Sequence, residues 1–264
     1  MPTVHGTSAP LSNAPSRHAA HCSTCALRHY RLPQGLSSDD VNTLQTVIVN
    51  ARSIKRGETL FRVSDTFDTL YAVRSGSLKT EVSTPNSSGR EQVMGLHLGG
   101  DALGLEGFDN GRHACHAVAL EDSSVCLIPY VYFERACRET SALQRRLLQL
   151  LSREVVRKST QTLILGTLRA DERVAALLLG LSARLKHRGY ASNEFNLRFT
   201  RDDMGSFLGI TLETVSRTLS RFQAKGLIDA NGKLIQILDF DGLRAISLAA
   251  RWRSKRTWHA LCYD

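Results

Sequence analysis

The stretch 199-FTRDDMGSFLGITLETVSRTLSRFQAKGLI-228 decides how the second half of this 264-residue chain folds. Thr200 is of a type that caps helices, and Asp203 stands three positions later, where the acidic partner of a capping box belongs. Gly209 ends this first helix, at a position that calls for a left-handed backbone. Thr211 then caps a second helix, whose apolar residues are Leu212, Val215, Leu219 and Phe222. The stretch therefore predicts two short helices joined by a tight turn.

The exposed face of the second helix carries residue types that recognise DNA bases. Two helices joined by a short Gly-containing turn form a helix-turn-helix, whose second helix enters the major groove. Arg can bind guanine, and Glu can accept a hydrogen bond from cytosine. An ordinary helix hairpin with a charged outer face is the alternative, but the next residues, GLIDANGKLIQIL, predict a two-stranded wing turning at Asn231-Gly232. The predicted DNA-binding residues are Thr211, Glu213, Thr214, Ser216, Arg217 and Arg221.

Positive charge is concentrated in the second half of the chain. Residues 1–137 carry 12 Lys/Arg and 13 Asp/Glu, a net charge of −1, whereas residues 138–264 carry 22 and 12, a net charge of +10. This asymmetry favours a sensing or structural domain followed by a polyanion-binding one, although a solvated basic surface would have the same composition. No apolar run approaches the roughly 20 residues of a membrane span. Since no secretory signal is evident either, we expect a cytoplasmic protein without a membrane partner.

The middle of the chain changes from strand-like to helical patterning. From about 51 to 132, short β-type runs separated by glycines predict a small β barrel or roll. From Tyr132 onward the apolar residues recur at helical spacing, with no Pro, and some positions alternate steps of four and three as in a coiled coil. A dimer interface and a helix packed on its own β domain are both compatible with this spacing. The seam positions are Gln144, Leu148, Leu151, Val155, Lys158, Thr162 and Leu165.

With these motifs in place, the chain resembles the Crp/Fnr superfamily of bacterial transcription regulators, and within it the Fnr type, from about residue 21 to residue 246. The blocks TRDDMGSFLGITLETVSRTLSRFQ, LYAVRSGSLK, GLHLGGDALGLE and ALEDSSVCLIP carry the resemblance. It implies an α+β fold with an N-terminal cyclic-nucleotide-binding-like β-roll, a long dimerisation helix and a C-terminal winged helix-turn-helix. It also implies a non-enzymatic homodimer that binds double-stranded DNA at a TTGAT-like palindrome through Glu213, Ser216 and Arg217, with RNA polymerase as a partner.

The resemblance divides the chain into five segments. The predicted segments are an N-terminal tail with a Cys-containing sensor region (1–35), the β-roll (36–133), the dimerisation helix (134–166), the winged helix-turn-helix domain (167–246) and a basic tail (247–264). Within the dimerisation helix, Lys158 and Thr162 are expected to weaken the seam, because polar residues at such positions cost stability. The dimer is therefore predicted to be adjustable rather than tight.

The segment 21-HCSTCALRHYRLP-33 resembles most of an Fnr-type cluster loop. Fnr-type oxygen sensors hold a [4Fe-4S] cluster with three N-terminal cysteines, spaced C-x2-C-x5-C, and one further cysteine at the end of a β-roll strand. Cys22, Cys25 and Cys126 match three of these ligands. Arg31 stands in the remaining place, and a guanidinium has no lone pair to offer a metal.

Two interpretations of this departure stay open. In the first, His29 or Cys115 supplies the fourth ligand. In the second, the site is eroded, and the protein responds to haem, nitric oxide or thiol redox chemistry, or to no signal; a cationic Arg31 would lower the pKa of nearby thiols. A thiol oxidoreductase using the C-x-x-C pair is a remote alternative, because that motif should open a helix after a strand.

The resemblance also bears on cyclic nucleotides. Members of the superfamily that bind them hold the cyclic phosphate with an Arg-Ser or Arg-Thr pair, in the turn that follows the position of Gly104. The corresponding place in this chain is His113-Ala114. We therefore expect no cyclic nucleotide.

Overall fold

The computed structural model describes residues 38–83 and 91–247, which form a β-rich N-terminal part and a mainly helical C-terminal part. The N-terminal part begins with one helix and continues with eight strands among the described residues. These elements are α1 (Ser38–Val47), β1 (Asn50–Ile54), β2 (Thr59–Phe61), β3 (Thr69–Ser75), β4 (Ser77–Ser83), β5 (Glu91–Leu98), β6 (Ala102–Leu103), β7 (His116–Ala119) and β8 (Ser123–Pro129). A 3-10 turn, Leu105–Phe108, lies between β6 and β7.

The strands form two antiparallel sheets that enclose an apolar interior. Their orders are β1-β8-β3-β6 and β2-β7-β4-β5, which leaves β5 at an edge. The interior includes Val73, Leu78 and Val125, all buried. Gly76, with φ +84°, turns β3 into β4 and lies too close to Ser123 to accommodate a Cβ atom. The predicted β-roll is confirmed, and so is its turn at Ser75-Gly76.

The helical stretch predicted for 134–166 is longer than expected and is not continuous. It comprises α2 (Tyr130–Glu139) and α3 (Ser141–Thr167). Thr140 adopts an extended conformation, and its N–H donates to Ala136 O, which closes α2. This break allows Phe133 of α2 and Leu143 of α3 to pack in one apolar cluster on the outer face of the first sheet. The prediction of one unbroken helix is therefore wrong at Thr140, because burial of both helices on the sheet outweighs helical continuity.

The C-terminal part is a winged helix-turn-helix with an additional strand and helix. Its elements are α4 (Ala170–His187), β9 (Glu194–Asn196), α5 (Arg201–Leu208), α6 (Leu212–Ala224), β10 (Ile228–Asn231), β11 (Leu234–Ile237) and α7 (Phe240–Ile246). The strands form a sheet in the order β10-β11-β9. The wing predicted at Asn231-Gly232 is the β10–β11 hairpin, whereas β9 and α7 were not expected from the sequence. A continuous apolar cluster includes Val174, Met204 and Phe222.

The two parts are in direct contact. Val93 and Leu96 of β5 belong to the same apolar cluster as α4, α5 and α6. Beside them, Asp101 accepts hydrogen bonds from Arg184 at 2.5 Å and from Arg188 at 2.7 Å, which attaches α4 to the turn after β5. The limits of the five predicted segments stay a prediction, and residues 1–35 and 248–264 lie outside the described residues.

Candidate DNA-binding face and sensor site

The first helix of the helix-turn-helix, α5, begins and ends as the sequence predicts. The Thr200 hydroxyl accepts from the N–H of Asp203 at 3.0 Å, and the Asp203 carboxylate accepts from the N–H of Thr200 at 2.9 Å. The two bonds satisfy amide groups that have no partner inside the helix. At the other end, Gly209 has φ +62° and caps α5. Both ends of α5 are therefore fixed by local sequence.

The corner between α5 and α6 is tight, and Gly205 makes it possible. A Cβ atom at position 205 would lie 2.7 Å from Ile210 O, closer than real Cβ contacts. Thr211 caps α6 by accepting a hydrogen bond from the N–H of Thr214 at 3.2 Å. The pair α5–α6 is therefore a compact unit in which the position of one helix determines the position of the other.

The predicted DNA-contacting residues lie on one face of α6. We call Glu213, Ser216, Arg217, Ser220 and Arg221 the reading face. Glu213, Arg217, Ser220 and Arg221 are exposed, and Ser216 is half-buried. Thr211 is exposed at the cap of α6, where its hydroxyl lies 3.0 Å from that of the half-buried Thr214. The opposite face of α6 buries Val215, Leu219 and Phe222, so this helix presents its polar side to solvent.

Arg201, at the first position of α5, was not singled out in the sequence. Its guanidinium donates to the Ser216 hydroxyl at 3.3 Å, which places a cation against the reading face. The available signal was its position directly after the Thr200 cap, since the start of a helix is a favourable place for phosphate contacts.

The predicted dimer positions on α3 fall into an exposed and a half-buried group. Leu148, Val155 and Thr162 are exposed, with Leu148 at 59% and Val155 at 65%, and they recur every seven residues. Leu151, Lys158 and Leu165 are half-buried, and the Lys158 ammonium donates to Met94 O of its own β-roll at 2.7 Å. The Lys158 ammonium therefore turns toward its own chain.

Of the predicted cluster ligands, Cys126 and Cys115 belong to the part of the chain that the structure describes, whereas Cys22, Cys25 and His29 lie outside it. Cys126, on β8, is buried on the outer face of the first sheet, with Val47 of α1 and Phe133 of α2. Its neighbour Val125 faces the roll interior, as expected from the alternation along a strand. Cys126 therefore shares an apolar cluster with α1, the helix that follows the N-terminal segment.

Cys115 lies on the other side of that sheet. It is buried in the roll interior, in the same apolar cluster as Val125. Burial, together with the nearby carboxylate of Glu106, raises the pKa of Cys115 to about 12. The sheet separates Cys115 from the face that carries Cys126, so the structure does not bring these two predicted ligands together.

The donor set does not fit the cluster that the resemblance implies. Clusters of the Fnr kind take four thiolates, whereas Cys22, Cys25 and Cys126 supply three. Among residues 38–83 and 91–247, no group of three or more His, Cys, Asp or Glu side chains is placed to hold a metal ion. Arg31 removes the remaining thiolate, and Cys115 cannot replace it from the roll interior.

At His113-Ala114, the place that corresponds to the phosphate-binding pair, side chains of the protein pack closely together. His113 is buried, its Nδ1 lies 3.0 Å from Glu106 Oε1, and its ring stacks on Phe61 with centroids 3.7 Å apart. Phe67 packs against the edge of the same ring. These contacts support the expectation that no cyclic phosphate binds here, which stays a prediction.

Comparison with protein families assigns both parts of the chain. The family described as "Cyclic nucleotide-binding domain" matches residues 51–140, and "Crp-like helix-turn-helix domain" matches residues 172–246. The chain belongs to the Crp/Fnr family of transcription regulators. Within the described residues, no helix is both long and apolar enough to cross a membrane.

Curated relatives match most of the chain. The transcriptional regulatory protein btr of Bordetella pertussis is 41% identical over 231 residues, which cover 88% of this chain and 95% of that protein. The transcriptional activator protein FnrA of Stutzerimonas stutzeri is 40% identical, covering 88% and 94%. The fumarate and nitrate reduction regulatory protein of Salmonella typhi is 37% identical, covering 87% and 91%. All three of these relatives are named as regulators.

A solved structure shares the fold. FixK2 from Bradyrhizobium japonicum superimposes with a TM-score of 0.69 at 29% identity, covering 75% of this chain and 96% of that one. The predicted architecture, a β-roll followed by helices and a winged helix-turn-helix, is thereby confirmed.

Proposed function

We propose that this chain acts as a homodimer that binds a TTGAT-like palindrome and regulates anaerobic or redox-responsive genes, in the cytoplasm and together with RNA polymerase. The observation that carries the proposal is the reading face. It places Glu213, Ser216 and Arg217 on one side of α6, while the other side of that helix is buried. The printed names of the relatives, which include a transcriptional activator, support the role in gene regulation.

The homodimer is proposed from α3. Leu148, Val155 and Thr162 form an exposed stripe with a seven-residue period, the pattern by which two parallel helices pack. A second copy on this stripe would relate two copies of α6 by a two-fold axis. Two such helices enter successive major grooves about 34 Å apart, so the target is a palindrome.

The variant Arg217→Ala tests the reading face. We expect it to weaken binding to the palindrome by about 1–3 kcal/mol and to relax the base preference at one position of each half-site. Arg135→Ala is the matched control, because it removes an exposed arginine of α2 that pairs with Glu139. The measurement is a fluorescence-anisotropy titration with the palindrome and with single-base variants of it. Equal weakening on all sequences would contradict the assignment of Arg217 to base recognition.

For the sensor we propose a signal other than a four-thiolate cluster. The donor set is one thiolate short, and Cys126 is separated by the sheet from Cys115, the other cysteine considered. Cys22 and Cys25, close in sequence to Arg31, form the candidate thiol pair for a redox response.

The variant Arg31→Cys tests this sensor proposal. It restores the C-x2-C-x5-C spacing, so we expect it to gain iron, acid-labile sulfide and visible absorbance after anaerobic purification, while the wild-type chain contains neither iron nor sulfide. The control is Arg31→Ala, which removes the cation without adding a ligand. A wild-type chain with a full complement of four iron atoms would overturn the proposal and point to His29 as the fourth ligand.

A further inference from the structure

Helix α5 docks on the exposed edge of β5. The Ser206 hydroxyl donates to Glu91 O at 2.9 Å and accepts from the N–H of Val93 at 2.8 Å. The side-chain amide of Gln92 donates to Ser206 O. Edge strands leave backbone donors and acceptors without a neighbouring strand. The Ser206 hydroxyl satisfies one backbone donor and one backbone acceptor of β5, and so attaches the helix-turn-helix to the sensor sheet.

A partly buried ion pair lies beside this contact. The Lys79 ammonium on β4 lies 2.7 Å from the Asp203 carboxylate on α5 and 2.7 Å from Glu81. The Lys79 and Asp203 side chains are only 19% and 13% exposed. Burial alone would lower the pKa of Lys79, but its hydrogen bonds to Asp203 and Glu81 raise it above the usual value. Lys79 is therefore charged at neutral pH and bonded to the residue that completes the Thr200 capping box.

The docked arrangement holds α6 in place without covering it. Because the Gly205 corner joins α5 and α6 tightly, any rotation of α5 against the β-roll moves the reading face as well. Arg217 and Arg221 stay exposed in the docked state. The contact with β5 therefore fixes the direction of α6 and leaves its contacts with bases free.

Few other contacts restrain the direction of α6 relative to the β-roll. Helices α3 and α4 are joined by two residues, Leu168 and Arg169, both in extended conformation. Arg173 braces the corner by donating to Leu165 O at 2.7 Å and to Leu208 O at 2.8 Å. Without the contacts of Lys79 and Ser206, the DNA-binding part would be held by this corner, the Asp101 contact, the ion pair of Arg198 with Glu121 and the apolar packing around them.

We infer that Lys79 and Ser206 are positioning residues that determine which separation of the two half-sites the protein prefers. The inference rests on the proposed palindrome-binding homodimer. In such a dimer each sensor domain carries one reading face, so the angle between α5 and the β-roll determines the distance between the two reading faces. The bases recognised within a half-site depend on α6, whereas the number of base pairs between half-sites would depend on Lys79 and Ser206.

The test uses the full-length chain and DNA duplexes that carry two TTGAT half-sites, with the central spacer varied in steps of one base pair. We expect the wild type to prefer one spacer by about tenfold over its neighbours, and Lys79→Met to lose most of that preference. Affinity for a duplex with one half-site should be unchanged. Lys79→Arg should restore the preference, because a guanidinium can reach both carboxylates.

Two further variants sharpen the test. Ser206→Ala should flatten the spacer preference as Lys79→Met does. Lys55→Met is the control, because it removes a sensor-domain lysine whose 2.7 Å ion pair with Asp122 is exposed and does not involve the DNA-binding part. It should keep the wild-type preference.

The outcomes separate this inference from the proposed function. If Lys79→Met keeps the wild-type spacer preference, or weakens the single half-site as much as the palindrome, the positioning role is wrong. If the wild-type protein binds no palindrome better than a single half-site, the proposed homodimer itself fails, and the inference fails with it.

Discussion

Among the described residues, three charged contacts join the sensor part to the DNA-binding part, made by Asp101, by Lys79 and by Arg198 with Glu121, and the first two differ in construction. In the first, Asp101 after β5 accepts from Arg184 of α4 and from Arg188, which caps that helix, and the Arg188 side chain is only 5% exposed. In the second, Lys79 of β4 meets Asp203 of α5. The first junction places two cations around one carboxylate, whereas the second places one cation between two carboxylates.

The two junctions also differ in how many contacts each makes between the sensor part and the DNA-binding part. Arg184 also donates to Leu96 O and Arg188 to Gly99 O, so the first junction binds α4 to the backbone of the sensor sheet at several points. The second depends on one lysine and one serine at the sheet edge. We therefore regard the Asp101 junction as an anchor that the fold requires and the Lys79 junction as an adjustable contact that orients α6.

The largest expected effect comes from breaking the anchor. Asp101→Asn leaves two buried guanidinium groups without a counter-charge, and breaking one side of a buried ion pair typically costs about 3–5 kcal/mol. Urea unfolding followed by circular dichroism measures this loss. Lys79→Met should cost less in the same assay, because Asp203 keeps its hydrogen bonds from the amide and hydroxyl of Thr200 when the lysine is lost. Equal losses for the two variants would show that the junctions do not differ in the way described.

A smaller effect on the stability of the two junctions is expected when the pH is lowered. Burial opposes ionisation of both carboxylates, but Arg184 and Arg188 hold the pKa of Asp101 far below its usual range, and Lys79 and the Thr200 amide lower the pKa of Asp203 less strongly. A carboxylate with a lowered pKa contributes stability above the unfolded pKa, near about 4, and this contribution is lost as the pH falls through the folded value. The Lys79 junction should therefore weaken at a higher pH than the anchor.

Carboxyl carbon NMR with labelled aspartate measures this order directly. We expect the Asp203 signal to titrate before that of Asp101 as the pH is lowered. Lys79→Met should move the Asp203 transition to higher pH and leave Asp101 unchanged. If Asp101 titrated before Asp203 in the wild-type protein, the difference described between the two junctions would be contradicted.

The helix-turn-helix was predictable from sequence because its signals are local. Thr200, Gly209 and Thr211 each act within a few residues of their own position, and the structure confirms all three caps. The β-roll followed for a similar reason, since its turns occur at glycines such as Gly76. Local patterns of this kind specify the helices and strands and the residues at which they begin and end.

Features that depend on distant residues could not be predicted. Lys79 and Asp203 are 124 positions apart, and nothing in either segment indicates the other. The break at Thr140 results from packing of Phe133 and Leu143 on the sheet, which overrides an otherwise helical pattern. Lys158 has seam spacing, yet its ammonium bonds to Met94 of the same chain.

The positions of the cysteines in the fold could not be predicted from sequence either. Sequence alone left Cys115 open as a fourth ligand beside Cys126, because spacing along the chain does not say which side of a sheet a residue faces. Their burial in separate clusters on opposite sides distinguishes them. The Arg31 substitution, in contrast, is visible in the sequence and bears on the donor set directly.

The most direct test of this account compares two DNA duplexes, one with a TTGAT palindrome and one with a single half-site, in a fluorescence-anisotropy titration of the wild-type protein. A homodimer with two reading faces should bind the palindrome at least about tenfold more tightly, with two chains per duplex. Equal affinity for both duplexes, with one chain bound to each, would contradict it.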